Sequence, residues 1–216
     1  MSDILGIVLL LPVLLLSMAA HEVAHGAVAY RLGDPTAKAH GRLTVNPIKH
    51  LDPLGTLMFL ITYFSGSFIF GWAKPVPVNP SYFRDHKRGM MIVGLAGPIT
   101  NFLIAVGIAL ILNLLAPSAA SLSELRGGSL LLQTLFLAFQ VNVVLGIFNL
   151  VPIPPLDGSR VVGGFMSDST YMRWVALDRY GILILVLIFF VFRGPFWQFL
   201  NTAFRLISSL LLPAYF

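Results

Sequence analysis

The stretch Ile4-Leu5-Gly6-Ile7-Val8-Leu9-Leu10-Leu11-Pro12-Val13-Leu14-Leu15-Leu16-Ser17-Met18-Ala19-Ala20-His21-Glu22-Val23-Ala24-His25 decides how the rest of the chain is read. Ile4 to Ala20 carries no charged residue, and the run passes directly into two histidines and a glutamate before Arg31 and Lys38 follow. A cleaved signal peptide has its basic residues ahead of the apolar core and a small-residue cleavage site behind it. Here that order is reversed. The stretch is expected to be a retained membrane helix from about Ile4 to Tyr30, with its amino terminus outside and its carboxyl end in the cytoplasm.

Composition agrees with a chain that lies mostly in lipid. Of 216 residues, 57% are hydrophobic and 11% charged, with a mean hydropathy of +0.86. Soluble domains carry about 25% charged residues, so a water-soluble globular fold is excluded. There is no cysteine, which removes disulfides, thiol catalysis and thiolate-bound metal; any zinc must be held by histidine and carboxylate. The net charge of +5 comes from basic residues in short loops between apolar segments. That pattern points to loops facing the cytoplasmic leaflet and not to nucleic acid. Further apolar segments are Leu54 to Ala73, Met90 to Leu115, Leu130 to Leu150, Gly181 to Phe192 and Pro195 to Leu212. The fold class expected is an all-α polytopic membrane protein with about five to six transmembrane helices. Residues 1–216 read as a single membrane-embedded domain, with a core over about 4–164 and accessory carboxyl-terminal helices over about 174–212. The polar stretches Arg31 to Pro53 and Val151 to Tyr180 have room for a small hairpin or a short helix each.

His21-Glu22-Val23-Ala24-His25 carries the sharpest chemical signal. Residues four apart on a helix share a face, so both imidazoles can meet one metal ion. Glu22, one position after His21, can act on water rather than bind the metal. Ionisable groups at membrane depth are costly and by default mark a functional site. Two histidines leave a catalytic zinc one protein ligand short of the usual three. Carboxylates, His40, His50 and His86 are the candidates, and Asp157 is the best of them. It ends Asn149-Leu150-Val151-Pro152-Ile153-Pro154-Pro155-Leu156-Asp157-Gly158, where prolines break the helix and Gly158 permits close approach beside the carboxylate.

These residues resemble the site-2 proteases, zinc metalloproteases that work inside the membrane. His21 to His25 matches their zinc helix, and Asn149 to Gly158 matches their second signature, an Asn-Pro-Pro-Asp-Gly pattern ending Leu-Asp-Gly. Ala96-Gly97-Pro98-Ile99-Thr100-Asn101 is similar to the Gly-Pro-Asn element of their intervening core helix. The resemblance spans about Ile4 to Gly164. It implies zinc, one Zn2+ per chain, on His21, His25 and Asp157, with Glu22 as catalytic base and Asn149 near the reacting carbonyl. The chain departs from larger relatives in having no PDZ-like insertion and no spanning helix before the zinc helix, as expected of a compact member.

Topology follows from parity. His21, His25 and Asp157 must meet at one depth, and both motifs lie towards the carboxyl ends of their helices, so those helices run parallel and an odd number of crossings separates them. Of Leu54 to Ala73 and Met90 to Leu115, one must therefore fail to cross. The former is broken by Ser65-Gly66-Ser67 and ends in a proline-rich tail, so it is expected to re-enter. Arg31, Lys38, Arg42, Lys49, Lys74, Arg84, Lys87, Arg88, Arg160, Arg173 and Arg179 then lie inside, with Arg126 and Arg193 outside.

Weaker signals surround this core. If Ala73 to Val78 is extended, Pro75 and Pro77 face one edge and the N–H groups of Lys74, Val76 and Val78 face the other. Such an edge can pair with an unwound substrate strand, which makes Val76 and Val78 candidate substrate-binding residues. Gly94, Gly97 and Asn101 share a helix face whose main reading is close packing, with a substrate contact by Asn101 as the minority one. Arg205 is expected either to snorkel or to pair internally.

The function expected is an intramembrane zinc metalloendopeptidase that cleaves membrane-protein substrates within or near their transmembrane segments, in regulated intramembrane proteolysis. Its expected partners are transmembrane protein substrates and the lipid bilayer, with no nucleic acid; a homo-oligomer is compatible with the sequence. Its expected location is a prokaryotic cell (inner) membrane, active site towards the cytoplasm. A multi-pass metal carrier is the main rival, and it would need ligand clusters at more than one depth. An inactive client-binding relative is the other, and the complete set of motif residues argues against it.

Overall fold

In lipid, backbone N–H and C=O groups must be satisfied within the protein, and a helix does this within each segment. The computed structural model describes residues 3–65, 71–115, 128–213 and 215. Its long elements are α1 (Asp3–Arg31), α4 (His86–Leu115) and α5 (Leu130–Asn149). At 1.5 Å per residue each is about 30 Å or longer, enough to cross a hydrocarbon core. Between α1 and α4 lie α2 (Thr36–Ala39) and α3 (Pro53–Ser65). After α5 come α6 (Asp157–Gly163), α7 (Asp168–Val175), α8 (Gly181–Val191) and α9 (Arg193–Leu211). The polar stretches thus fold as short helices, with 3-10 turns at Pro47–His50 and Ala176–Tyr180.

Side-chain contacts fix the directions of the three long helices. His25 of α1 meets the Val93 carbonyl of α4, while His21, one turn earlier, meets Asn101, two turns later, so α1 and α4 are antiparallel. Asn142 of α5 meets Ser17 of α1, and the chain leaving α5 brings Asp157 to His21 and His25. Therefore α1 and α5 run parallel with one crossing between them. α3 does not cross. It has 13 residues, about 20 Å, and Leu51 before it forms an antiparallel bridge with Ala73 after it. The Lys74 N–H donates to the His50 carbonyl at 2.8 Å, so the chain returns to the side it left. Gly66, Ser67 and Arg126, which entered the topology reading, lie outside the described residues.

The carboxyl-terminal part differs from expectation. Among the described residues three helices are long and apolar enough to cross a membrane, or four if the bent pair Asp168–Phe189 and Gly194–Leu211 counts as one, not five to six. The reason is α8, whose 11 residues reach only about 16 Å before the chain turns by 89° into α9. Phe196 of α9 stacks edge-on against Phe148 near the carboxyl end of α5, and the Leu211 carbonyl accepts from Asn113 near the carboxyl end of α4. Accordingly α9 runs the length of the bundle starting from the end where Asp157 sits. Arg193, expected outside, begins α9 at that same end. Arg205 is exposed on α9, so internal pairing does not describe it.

The apolar core lies between α4, α5 and α9, where Phe136, Phe139 and Val143 pack against Ala105, Ala109 and Leu112 and against Leu200. Alanines on α4 let the phenylalanine-rich face of α5 come close. At the other end α6 is tied down by Trp174, whose indole N–H donates to the Ser159 carbonyl at 2.9 Å, and by the Arg160–Asp178 ion pair.

The chain has no cysteine of its own, so Pro53→Cys and Asn79→Cys, both at exposed positions, make clean reporters of topology. A membrane-impermeant thiol reagent applied to sealed vesicles is expected to label the two with the same sidedness. Opposite sidedness would mean that α3 spans.

Candidate metal centre

The centre is assembled from α1, α4 and the start of α6. His21 and His25 project from one face of α1 and are 7% and 8% exposed. Their Nε2 atoms are 2.9 Å apart, and an Asp157 carboxylate oxygen lies 3.0 Å from the first and 3.3 Å from the second. The three ligand atoms all fall within 4.8 Å of one another, the one such group among the described residues.

The hydrogen bonds behind the imidazoles decide what this cluster can hold. His21 Nδ1 faces the side-chain oxygen of Asn101 at 2.6 Å, and His25 Nδ1 faces the Val93 carbonyl at 2.7 Å. Both partners are acceptors, so both Nδ1 atoms carry the proton and both Nε2 atoms present lone pairs. Two lone pairs and a carboxylate then point at one spot. The Asp157 oxygen aimed there is buried and has no hydrogen-bond partner. Such an arrangement calls for a cation, and two imidazoles with one carboxylate are a donor set suited to zinc.

Glycines make the convergence sterically feasible. A Cβ on Gly97 of α4 would lie 2.5 Å from both His Nε2 atoms. On Gly158 it would lie 2.2 Å from the Leu150 carbonyl oxygen. That second contact closes the proline-rich turn 150–156, which presents Asp157 at the first position of α6. Glu22 is turned to another neighbour. Its carboxylate accepts from the Val76 N–H at 2.7 Å, so the extended segment after α3 lies alongside it.

Comparison with known proteins gives the same chemistry. The model of peptidase family M50 matches residues 119–192. Relatives that bear the name "Putative zinc metalloprotease" include the following three. YwhC of Bacillus subtilis is 38% identical over 191 residues, covering 87% of this chain and 84% of the relative. The chain belongs to peptidase family M50, the site-2 protease family of zinc metalloproteases. Rip2 of Mycolicibacterium smegmatis is 29% identical over 180 residues, covering 81% of this chain and 63% of the relative. MJ0611 of Methanocaldococcus jannaschii is 30% identical over 142 residues, covering 66% of this chain and 62% of the relative. The chain thus spans somewhat less than two thirds of the last two. No solved structure matches it.

The other candidate residues of this M50 chain meet neighbours of their own. Asn101 is fully buried and bonded to His21 and Asn142, so it does not face a substrate. The amide edge of Ala73 to Val78 is not free either. Lys74 donates to His50, and Val76, itself 7% exposed, donates to Glu22; Val78 is half-buried and packs with Ala29, Phe83 and Val93. Asn149 closes α5 with its amide donating to the Leu145 carbonyl at 3.0 Å, and among the described residues it shares no bond with the ligand group. His50 is buried beside Arg42 and Thr44, and His40 bonds the Thr36 carbonyl; neither joins the cluster, nor does His86. Sequence reading missed Ser17 and Asn142. The available signal was a polar side chain inside an otherwise apolar segment, which is costly in lipid unless it has a partner.

Gly97→Ala and Gly158→Ala are expected to lower zinc affinity by at least about tenfold, the scale on which displacing a ligand's support acts. Competition against a chromophoric chelator in detergent measures this. Wild-type affinity in both variants would show that neither glycine shapes the centre.

Proposed function

We propose that this protein is an intramembrane zinc endopeptidase that hydrolyses peptide bonds of membrane-protein substrates within or near their transmembrane segments, in regulated intramembrane proteolysis. The reading is carried by the convergence of His21, His25 and Asp157 at membrane depth. His21 lies ten residues from the Arg31 end of its candidate span, about 15 Å along the helix. A carrier would need further ligand clusters along its path, and among the described residues His21, His25 and Asp157 form the one group.

One Zn2+ per chain is assigned to those three residues. Bound there, zinc supplies Lewis acidity to polarise the scissile carbonyl and to make water nucleophilic near neutral pH. Glu22 takes the proton of the attacking water and passes it to the departing amine. The Val76 N–H holds one Glu22 oxygen and so directs the carboxylate. An amide carries two N–H bonds, and Asn149 spends one on Leu145; the other is assigned to the developing oxyanion.

An apolar cavity of about 410 Å³ supports a membrane-derived substrate. It lies between α1, α3, α5 and the α8–α9 corner, with Leu11, Leu15 and Met18 on one wall and Gly71 to Ala73 on another. Residues 11, 15, 18 and 22 fall on one face of α1, so the cavity leads along that face to Glu22. Val76, whose N–H meets Glu22, and Val78 remain the candidates for contact with an unwound substrate strand. The transmembrane substrate and the surrounding bilayer are the partners assigned, with no nucleic acid; a homo-oligomer is left to measurement of mass in detergent.

The whole of residues 1–216 is read as one membrane-embedded protease domain, with a core over about 4–164 and accessory helices over about 174–212. The placement is a prokaryotic cell membrane with the Asp157 end towards the cytoplasm, since that end gathers Arg31, Lys38, Arg42, Lys49, Lys74, Arg160 and Arg179.

Purified protein should cut single-pass substrates inside the hydrophobic stretch, as read by product mass, and a chelator should abolish the cut. Glu22→Gln is expected to lower the rate by about 10²–10⁴-fold with zinc still bound, and Val76→Pro by less, through loss of the N–H on Glu22. Cleavage by Glu22→Gln at the wild-type rate would overturn the assignment of the base.

A further inference from the structure

Three buried side chains that the proposed chemistry does not use form a continuous chain behind the metal centre. Asn142 of α5 is 1% exposed, Asn101 of α4 is 0% exposed and Ser17 of α1 is 6% exposed. Asn142 Nδ2 donates to the Ala138 carbonyl at 2.9 Å and lies 2.9 Å from Ser17 Oγ. Its Oδ1 accepts from Asn101 Nδ2 at 2.9 Å, Asn101 Nδ2 also reaches the Ser17 carbonyl at the longer distance of 3.5 Å, and Asn101 Oδ1 faces His21 Nδ1 at 2.6 Å.

The chain has a direction, and a backbone carbonyl sets it. Ala138 C=O can only accept, so the end of the Asn142 amide that meets it must be the nitrogen. The Asn142 oxygen then faces Asn101 and requires the Asn101 nitrogen there. That leaves the Asn101 oxygen facing His21, which requires a proton on Nδ1 and a lone pair on Nε2. Reversing either amide would set N–H against N–H or oxygen against oxygen in a place water does not reach, which is costly. His25 needs no such chain, because the Val93 carbonyl fixes it directly.

We propose that Asn142 is a positioning residue of the metal centre: oriented by the Ala138 carbonyl and Ser17, it orients Asn101, which fixes the His21 tautomer and aims its lone pair at the ion. The proposal rests on the reading that His21, His25 and Asp157 hold zinc. It assigns Asn142 an effect on metal binding without contact with any ligand, and an effect on His21 that His25 does not share.

The test uses the full chain in detergent and reads zinc affinity by competition with a chromophoric chelator. Asn142→Leu, close in shape but unable to hydrogen-bond, is expected to weaken zinc about tenfold, at the lower end of the range for groups supporting a ligand. Asn101→Leu should weaken it at least as much, and the double variant no more than Asn101→Leu alone, because one effect runs through the other. Losses that multiply in the double variant, or wild-type affinity in Asn142→Leu alongside a lower unfolding temperature of the metal-free protein, would reduce Asn142 to packing and overturn the proposal. Should Asn142→Leu not fold, Asn142→Ala is examined by spectra of 15N-histidine-labelled, zinc-loaded protein. A changed His21 Nδ1–H signal with an unchanged His25 signal supports the chain, and two unchanged signals refute it. If the wild type itself takes up no zinc, the metal reading fails first; a zinc-binding wild type with indifferent Asn142 variants removes the positioning role alone.

Discussion

Two imidazole lone pairs and a carboxylate oxygen gathered within 4.8 Å repel one another unless a cation lies among them. Every local feature near them works against their separation. The histidines are fixed on one helix by spacing and cannot move apart without unwinding α1. Asp157 arrives from a different segment on a turn whose closure leaves no room for a side chain at Gly158. On the remaining side α4 comes close because position 97 has no Cβ to strike the two Nε2 atoms. An ion that satisfies the cluster therefore also ties α1 to α6 across α4, and binding and helix packing become one equilibrium.

The polar contacts in the bundle follow from the same demand. Without water at membrane depth, a side chain that orients a ligand must itself be oriented, and each added amide needs a further partner until the sequence of bonds ends on a backbone group. For His25 it ends in one step at Val93. For His21 it passes through Asn101 and Asn142 to Ala138, and so engages α1, α4 and α5 in turn. The small residues of α4 and the polar residues facing them thus share one cause. Close approach is what lets short amides reach across.

How much of this was legible in the sequence depends on the range of each interaction. His21 and His25 could be read because four residues on a helix is a local distance. The parallel run of α1 and α5 was legible too, since a shared depth for two motifs restricts the number of crossings, and the Leu51–Ala73 bridge shows how α3 meets that restriction. Gly181 to Phe192 is short of a span by its own length unless the residues before it extend it, and the folded chain turns sharply at its far end, which sequence composition does not show. For Asn101 close packing is the main reading and substrate contact the minor one; its bond to His21 escapes both, because spacing gives the face a residue occupies and not the neighbour it meets. Asn142 and Ser17 are separated by 125 positions, and no local pattern links them.

The segment after α3 shows how a sound local rule can be completed differently by tertiary structure. Alternate residues of an extended chain direct their N–H groups to the same edge, so prolines at 75 and 77 leave the donors of 74, 76 and 78 together. That much is a property of the sequence. The folded chain turns this donor edge inward, where His50 and Glu22 take the first two N–H groups. The edge facing away is the proline edge, which offers carbonyls and no donors at 75 and 77. An incoming strand that paired with Val76 would have to draw its N–H from Glu22. Substrate pairing on that edge and freedom of the Glu22 carboxylate are consequently coupled: the bond that holds the base in place is the one such a substrate strand would compete for.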